Sequence, residues 1–202
     1  MLPLVLLAAL VFLAIWVDYG VFRGLDRYAY RHLQPLRRTD WTALTLPAEI
    51  PFAALILLLA VLKLREAGRR REAAVWVLAF AAALVNELVG KATVARPYVT
   101  GSRILGTSVA QGTFPSGHTM RTIVVAGALC AAWPRYRFWF VGLAVLIVAA
   151  VELTGMHSPS EVIGGLLGGL GLVAAAHATR RRGSSGSAAD RGRPAGGARR
   201  FT

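Results

Sequence analysis

Charge is scarce in this chain. Of its 202 residues only 16% are charged, where a soluble domain of similar length carries about 25%. Acid is scarcer still. Ten Asp and Glu stand against 23 Lys and Arg, for a net charge of +13. That excess does not describe a nucleic-acid groove. No basic stripe is interleaved with aromatics, and the arginines collect at the ends of apolar runs, where they suit loops and anionic headgroups. A single cysteine, Cys130, excludes an intrachain disulfide. No run alternates with period two, which argues against a β-barrel. No cluster of residues has metal-ligand spacing, so neither a metal nor another cofactor is expected.

What the chain has in quantity is apolar length. It is 55% hydrophobic, with a mean hydropathy of +0.54. Six apolar runs stand out: Leu2–Val17, Ile50–Leu64, Ala73–Val89, Thr119–Trp133, Phe138–Leu153 and Val162–Ala178. A hydrocarbon core about 30 Å thick needs roughly 20 mostly apolar residues per helix. Several runs are shorter, so their helices are expected to extend into the flanks. The first run lacks a charged n-region and a small-residue cleavage site. It reads as a retained span, with a signal peptide as the lesser alternative.

The expected architecture is an all-α polytopic membrane protein. Residues 1–179 form a domain with six transmembrane helices, and residues 180–202 form a disordered basic tail without apolar periodicity. Residues 18–49 mix Arg23, Arg27, Arg31, Arg37 and Arg38 with Phe22, Leu25, Tyr28 and Leu33. They read equally as an interfacial helix turning near Pro35 or as an ordinary polar loop. Lys and Arg are richest in the 63–71 loop, at Arg135 and Arg137, and in the tail. The positive-inside rule therefore places both termini in the cytoplasm and the loops holding Lys91, His118 and His157 outside. Heavy use of Ala, Gly and Arg suggests a GC-rich bacterial genome, and hence a bacterial plasma membrane.

Four features converge on the outer ends of the spans. Glu87 and Lys91 close the third, followed by Arg96-Pro97. Pro115-Ser116-Gly117-His118 opens the fourth. Arg121 lies one turn in. Gly155-Met156-His157-Ser158-Pro159-Ser160-Glu161 opens the sixth. Ser116 is a good N-cap, Gly117 permits close backbone approach, and a helix N-terminus suits phosphate. A plain capped helix start explains Ser116 and Pro115 but not a histidine at the membrane face. Ser158, Pro159 and Glu161 fit a capping box, and Glu161 also suits a partner that fixes the His157 tautomer; the two readings are compatible. Taken singly, Lys91 reads as a snorkelling side chain paired with Glu87, and Arg96 and Arg121 as interfacial charges. His32 and His177 read as surface or span-end residues.

Together, residues from about Asn86 to Gly165 resemble the type 2 phosphatidic acid phosphatase (PAP2) family of membrane lipid phosphatases. That family carries Lys, six residues, then Arg-Pro; Pro-Ser-Gly-His; and Ser-Arg, five residues, His, three residues, Asp. The second motif is complete at Pro115–His118. In the first, Lys91 fits, but Tyr98 and Val99 fall where Arg-Pro belongs, and Arg96-Pro97 lies two residues earlier. In the third, His157 fits and Glu161 replaces Asp, while Ala150 and Val151 fall on the Ser-Arg pair. Either Arg96 and Arg121 supply the lost guanidinium groups or the site lacks them.

The resemblance implies a phosphatase without cofactors. His157 attacks phosphorus, His118 protonates the leaving alkoxide, and Glu161 orients His157. Lys91, Arg96, Ser116 and the Gly117 amide hold phosphate, with Arg121 as a further candidate. The substrate implied is a polyprenyl or glycerolipid mono- or diphosphate taken from among membrane lipids. The alternative is a degenerate relative that binds lipid phosphate, or a membrane partner, without turnover. A transporter or helix-packing subunit is a further rival, since the Gly164/Gly168 and Gly165/Gly169 pairs suit close helix packing.

Overall fold

The computed structural model describes residues 1–33, 42–94 and 113–190. Among them there is no strand, and the helices follow the apolar runs closely. They are α1 (Leu2–Asp18), α2 (Arg23–Leu33), α3 (Thr42–Thr45), α4 (Ile50–Glu66), α5 (Arg70–Thr93), α6 (Gly117–Ala132), α7 (Arg137–Leu153) and α8 (Pro159–Asp190), with single 3-10 turns at Leu46–Ala48 and Pro134–Tyr136. Three stretches are long and apolar enough to cross a membrane: Arg70–Thr93, Pro134–Leu153 and Pro159–Thr179. Helices α1, α4 and α6 have 17, 17 and 16 residues. At 1.5 Å per residue each reaches about 25 Å, short of a full hydrocarbon thickness. The expected extension into the flanks occurs in α5 and α8 but hardly in these three. Helix α8 continues to Asp190, through part of the segment read as tail.

The outside of the molecule is apolar. Leu55, Leu59, Leu78, Leu88, Phe138 and Trp139 are all exposed, the surface that a helix facing lipid needs. The centre is α6, which packs against α4, α5, α7 and α8. One buried cluster joins Leu57, Leu64, Trp76, Phe80, Met120 and Val124. A second joins α1, through Leu10, Leu13 and Val17, to Val94 and Phe114.

Lipid tails are as apolar as leucine, so these helices associate by close packing at small residues. The glycine pairs of α8 are used in this way. Gly165 lies against the Ser116 carbonyl and Thr119, Gly168 against Met120 and Leu10, and Gly169 against Ile123 and the Met120 carbonyl. They are committed to packing within the chain.

Antiparallel hairpins sort polar groups to the two ends. At one end Arg69 donates to Glu72 at 2.8 and 2.6 Å and to the Ala131 carbonyl at 2.8 Å. This ties the basic α4–α5 corner to the C-terminus of α6. At the other end the start of α4, the last turn of α5 and the first turns of α6 and α8 meet.

Helix α2 is a helix rather than a polar loop, and it turns from α1 by 86°. Arg23, Leu25, Arg27, Tyr28 and Arg31 are exposed. Asp26 is 1% exposed and accepts from the Ser160 amide at 3.1 Å and hydroxyl at 2.9 Å. It therefore caps α8 from a distant element. The turn expected near Pro35 lies outside the described residues.

A Cβ at Gly165 would meet the Ser116 carbonyl oxygen at 2.6 Å and Thr119 Cβ at 2.8 Å. A backbone atom cannot swing aside as a side chain can. Gly165→Ala is therefore expected to cost about 1–3 kcal/mol through overpacking, seen as a lower Tm of the purified protein in detergent.

Candidate active site

The first turn of α6 is built by its cap. Ser116 accepts from the Thr119 amide at 3.3 Å and from the Thr119 hydroxyl at 3.0 Å. Its own amide donates to the Glu161 carbonyl at 2.9 Å. That bond joins the N-termini of α6 and α8 and brings His118 beside His157. Before α8, Gly155 adopts φ +70°, a left-handed conformation that favours glycine and ends α7 so that His157 turns inward.

The two histidines form the centre of a chain of four side chains. Glu161 Oε2 lies 2.9 Å from His157 Nδ1, His157 Nε2 lies 3.4 Å from His118 Nδ1, and His118 Nε2 lies 3.0 Å from Glu49 Oε1. An ionised carboxylate only accepts, so each ring nitrogen facing a glutamate carries hydrogen. The two inward nitrogens then face each other with lone pairs, unless one carries an additional proton. The rings are inclined at 57° with centroids 5.5 Å apart.

Glu161 is buried and well satisfied. Besides His157, it accepts from the Thr113 hydroxyl at 2.5 Å and from the Ser158 amide at 3.1 Å. The capping contact and the His157 contact therefore coexist on one carboxylate.

A second polar cluster flanks the chain. Glu87 is 8% exposed and accepts from Lys91 Nζ at 2.6 Å and from the Arg121 guanidinium. Arg121 Nε also donates to the Ala48 carbonyl at 2.9 Å. The Glu87 carboxylate occupies the space that a Cβ on Gly117 would need. The close approach that Gly117 permits is thus an approach by Glu87.

The structure brings together Lys91, Ser116, Gly117, His118, Arg121, His157 and Glu161. Arg96 and Tyr98 lie outside the described residues. Ala150 and Val151, at the positions of the family Ser-Arg pair, are buried apolar side chains in α7. Arg121 is 2% exposed, with Nε and one terminal nitrogen directed to Ala48 and Glu87. His32 is exposed and stacks on Tyr28, and His177 sits edge-on to Trp76. Sequence reasoning missed Glu49, Thr113 and Asp26. Glu49-Ile50-Pro51 does carry a signal, an acidic residue and a proline opening an apolar run, but its histidine partner is 69 residues away. An apolar groove of about 350 Å³ runs between α1 and α5 and reaches Phe114 and Pro115.

An all-helical membrane bundle with paired histidines, each bound to a glutamate at one end, defines the class. Residues 72–184 match the PAP2 superfamily, and the chain belongs to that family. A stretch of 53 residues is 38% identical to a lipid A 1-phosphatase of Rhizobium etli, covering 26% of this chain and 23% of that protein. The lipid A 1-phosphatase of Rhizobium johnstonii matches equally over 22% of its length. The matched segment thus spans less than a quarter of these curated relatives. The crystal structure of a transmembrane PAP2 type phosphatidylglycerolphosphate phosphatase from Bacillus subtilis superposes with a TM-score of 0.75 at 18% identity, covering 89% of this chain and 96% of that one. At that identity the likeness carries the fold.

Glu87 is the counter-ion of a buried arginine. Removing one partner of such a pair strands a charge, at about 3–5 kcal/mol. Glu87→Ala is expected to lower stability by this amount, measured by denaturation in detergent. The double variant Glu87→Gln, Arg121→Gln should recover much of the loss.

Proposed function

We propose that the protein is a membrane phosphatase that hydrolyses a lipid mono- or diphosphate through a phosphohistidine on His157. The observation that carries this is the Glu161–His157–His118 arrangement. Glu161 holds the hydrogen on Nδ1, which leaves the Nε2 lone pair of His157 free as nucleophile and directed at His118.

In the first step a bond forms from His157 Nε2 to phosphorus while the bond to the lipid oxygen breaks. The departing electron pair goes to that oxygen, and His118 Nδ1 gives it a proton. In the second step water attacks phosphorus and gives its proton to His118. The phosphorus–nitrogen bond breaks, and its electron pair returns to His157. Phosphate is held by the N-terminus of α6 at Ser116 and Gly117, by Lys91, and by Arg96 from the segment after α5, where positive charge stabilises the transition state. Arg121 acts through its contacts with Ala48 and Glu87.

The substrate proposed is a polyprenyl or glycerolipid phosphate. The groove between α1 and α5 gives a hydrocarbon tail a place beside Pro115. Six spans, an interfacial α2, cytoplasmic termini and an outward-facing site in a bacterial plasma membrane complete the reading. Its support is the separation of the basic α4–α5 corner from the end holding the histidines.

A second reading has one observation in its favour. Lys91 and Arg121 both contact Glu87, so part of their charge is already neutralised, as befits a relative that binds without turnover. Phosphate release from a short-chain lipid phosphate by the purified protein separates the two. The phosphatase reading expects measurable turnover that His157→Ala abolishes and His118→Ala lowers by about 10²–10⁴. Equal, negligible rates for wild type and His157→Ala would leave only the binding protein.

A further inference from the structure

His118 has a carboxylate of its own, and the phosphatase mechanism above does not use it. Glu49 Oε1 sits 3.0 Å from His118 Nε2, on the side of the ring away from His157. The contact is built from two sides. Glu49 follows the Leu46–Ala48 turn and precedes α4 in an extended conformation, φ −65° and ψ 144°. One residue earlier, the Ala48 carbonyl accepts from Arg121 Nε at 2.9 Å. His118 and Arg121 are three residues apart on one face of α6. Two neighbouring residues of the turn are thus pinned to one turn of α6. Ala48 is fully buried, while the Glu49 side chain is 42% exposed.

We propose that Glu49 is a positioning residue for the leaving-group proton, a role that rests on the phosphatase reading. Its carboxylate accepts the His118 Nε2 hydrogen, turns Nδ1 toward the reacting phosphate and opposes the burial that disfavours the imidazolium form. His118 then holds on Nδ1 the proton that the lipid alkoxide takes as its bond to phosphorus breaks. After transfer His118 is neutral, still bound to Glu49 through Nε2–H, and ready to accept a proton from water. Each histidine therefore has one orienting glutamate, Glu161 for the nucleophile and Glu49 for the acid. The other charged groups facing His118 among the described residues are His157, Arg121 and Glu87.

The test uses the full-length protein in detergent and two substrates. A short-chain phosphatidic acid has a leaving group that needs a proton, and p-nitrophenyl phosphate has one that departs without it. The quantity compared is kcat/KM, which covers the bond-breaking step. For Glu49→Gln, kcat/KM on the phosphatidic acid should fall about 10²-fold, near the lower end of what a general acid contributes, and on p-nitrophenyl phosphate by less than a tenth of that factor. The alkaline limb of the phosphatidic acid profile should move to lower pH, because a neighbouring carboxylate favours the protonated ring. Glu49→Asp should recover part of the loss. A merely structural glutamate would lower both substrates alike and leave the limb in place, and either result overturns the proposal. Wild type inactive on both substrates, with His157→Ala no different, would instead overturn the phosphatase reading and this role with it.

Discussion

The hydrogen bond from the Ser116 amide to the Glu161 carbonyl joins two helix N-termini, and the site follows from that junction. It sets the first turns of α6 and α8 side by side, so that His118 and His157 face each other. The bond requires the helices to come closer than most side chains allow, and Gly164 and Gly165 provide the clearance against Phe114, Ser116 and Thr119. Asp26 holds α8 from the opposite side by capping Ser160. In a bundle whose exterior is apolar, such polar contacts carry much of the specificity. Lipid exerts no hydrophobic force to drive one helix onto another.

Charge is distributed with equal restraint. Glu49, Glu87 and Glu161 supply three negative charges around the histidines, and Lys91 and Arg121 supply two positive ones. An incoming phosphate therefore meets a region whose cations are already partnered. The missing motif arginines matter more here than they would in a site with surplus positive charge. The same balance explains why Arg121 is tolerated in a nearly buried position: it lies between a carboxylate and a carbonyl.

Much of this was legible in the sequence. Each of the six apolar runs coincides with a helix, Trp133 being only the C-cap of α6. Pro115–His118 and His157–Glu161 were found because helix-start chemistry is local, and the Glu161–His157 pair is only four residues apart. Contacts between distant segments were not legible. Glu49 resembles any acidic helix start until α6 folds against it. Asp26 resembles any charge on a surface helix until α8 arrives. Gly117 reads in sequence as a place where the backbone approaches a ligand, whereas the group packed against it, Glu87, comes from another helix. Arg121 reads as a substitute for the family arginine missing at Val151, and its contact with the Ala48 carbonyl, 73 residues away, is not visible in sequence.

The proposed mechanism turns on attack of His157 Nε2 on phosphorus. Its most direct test is to mix the full-length protein with a radiolabelled short-chain lipid phosphate, quench within the first turnover, and map any covalent label by mass spectrometry. An acid-labile, alkali-stable phosphoryl group is expected on His157, absent from His157→Ala. Turnover with no label on the protein, or a label on any other residue, would contradict it.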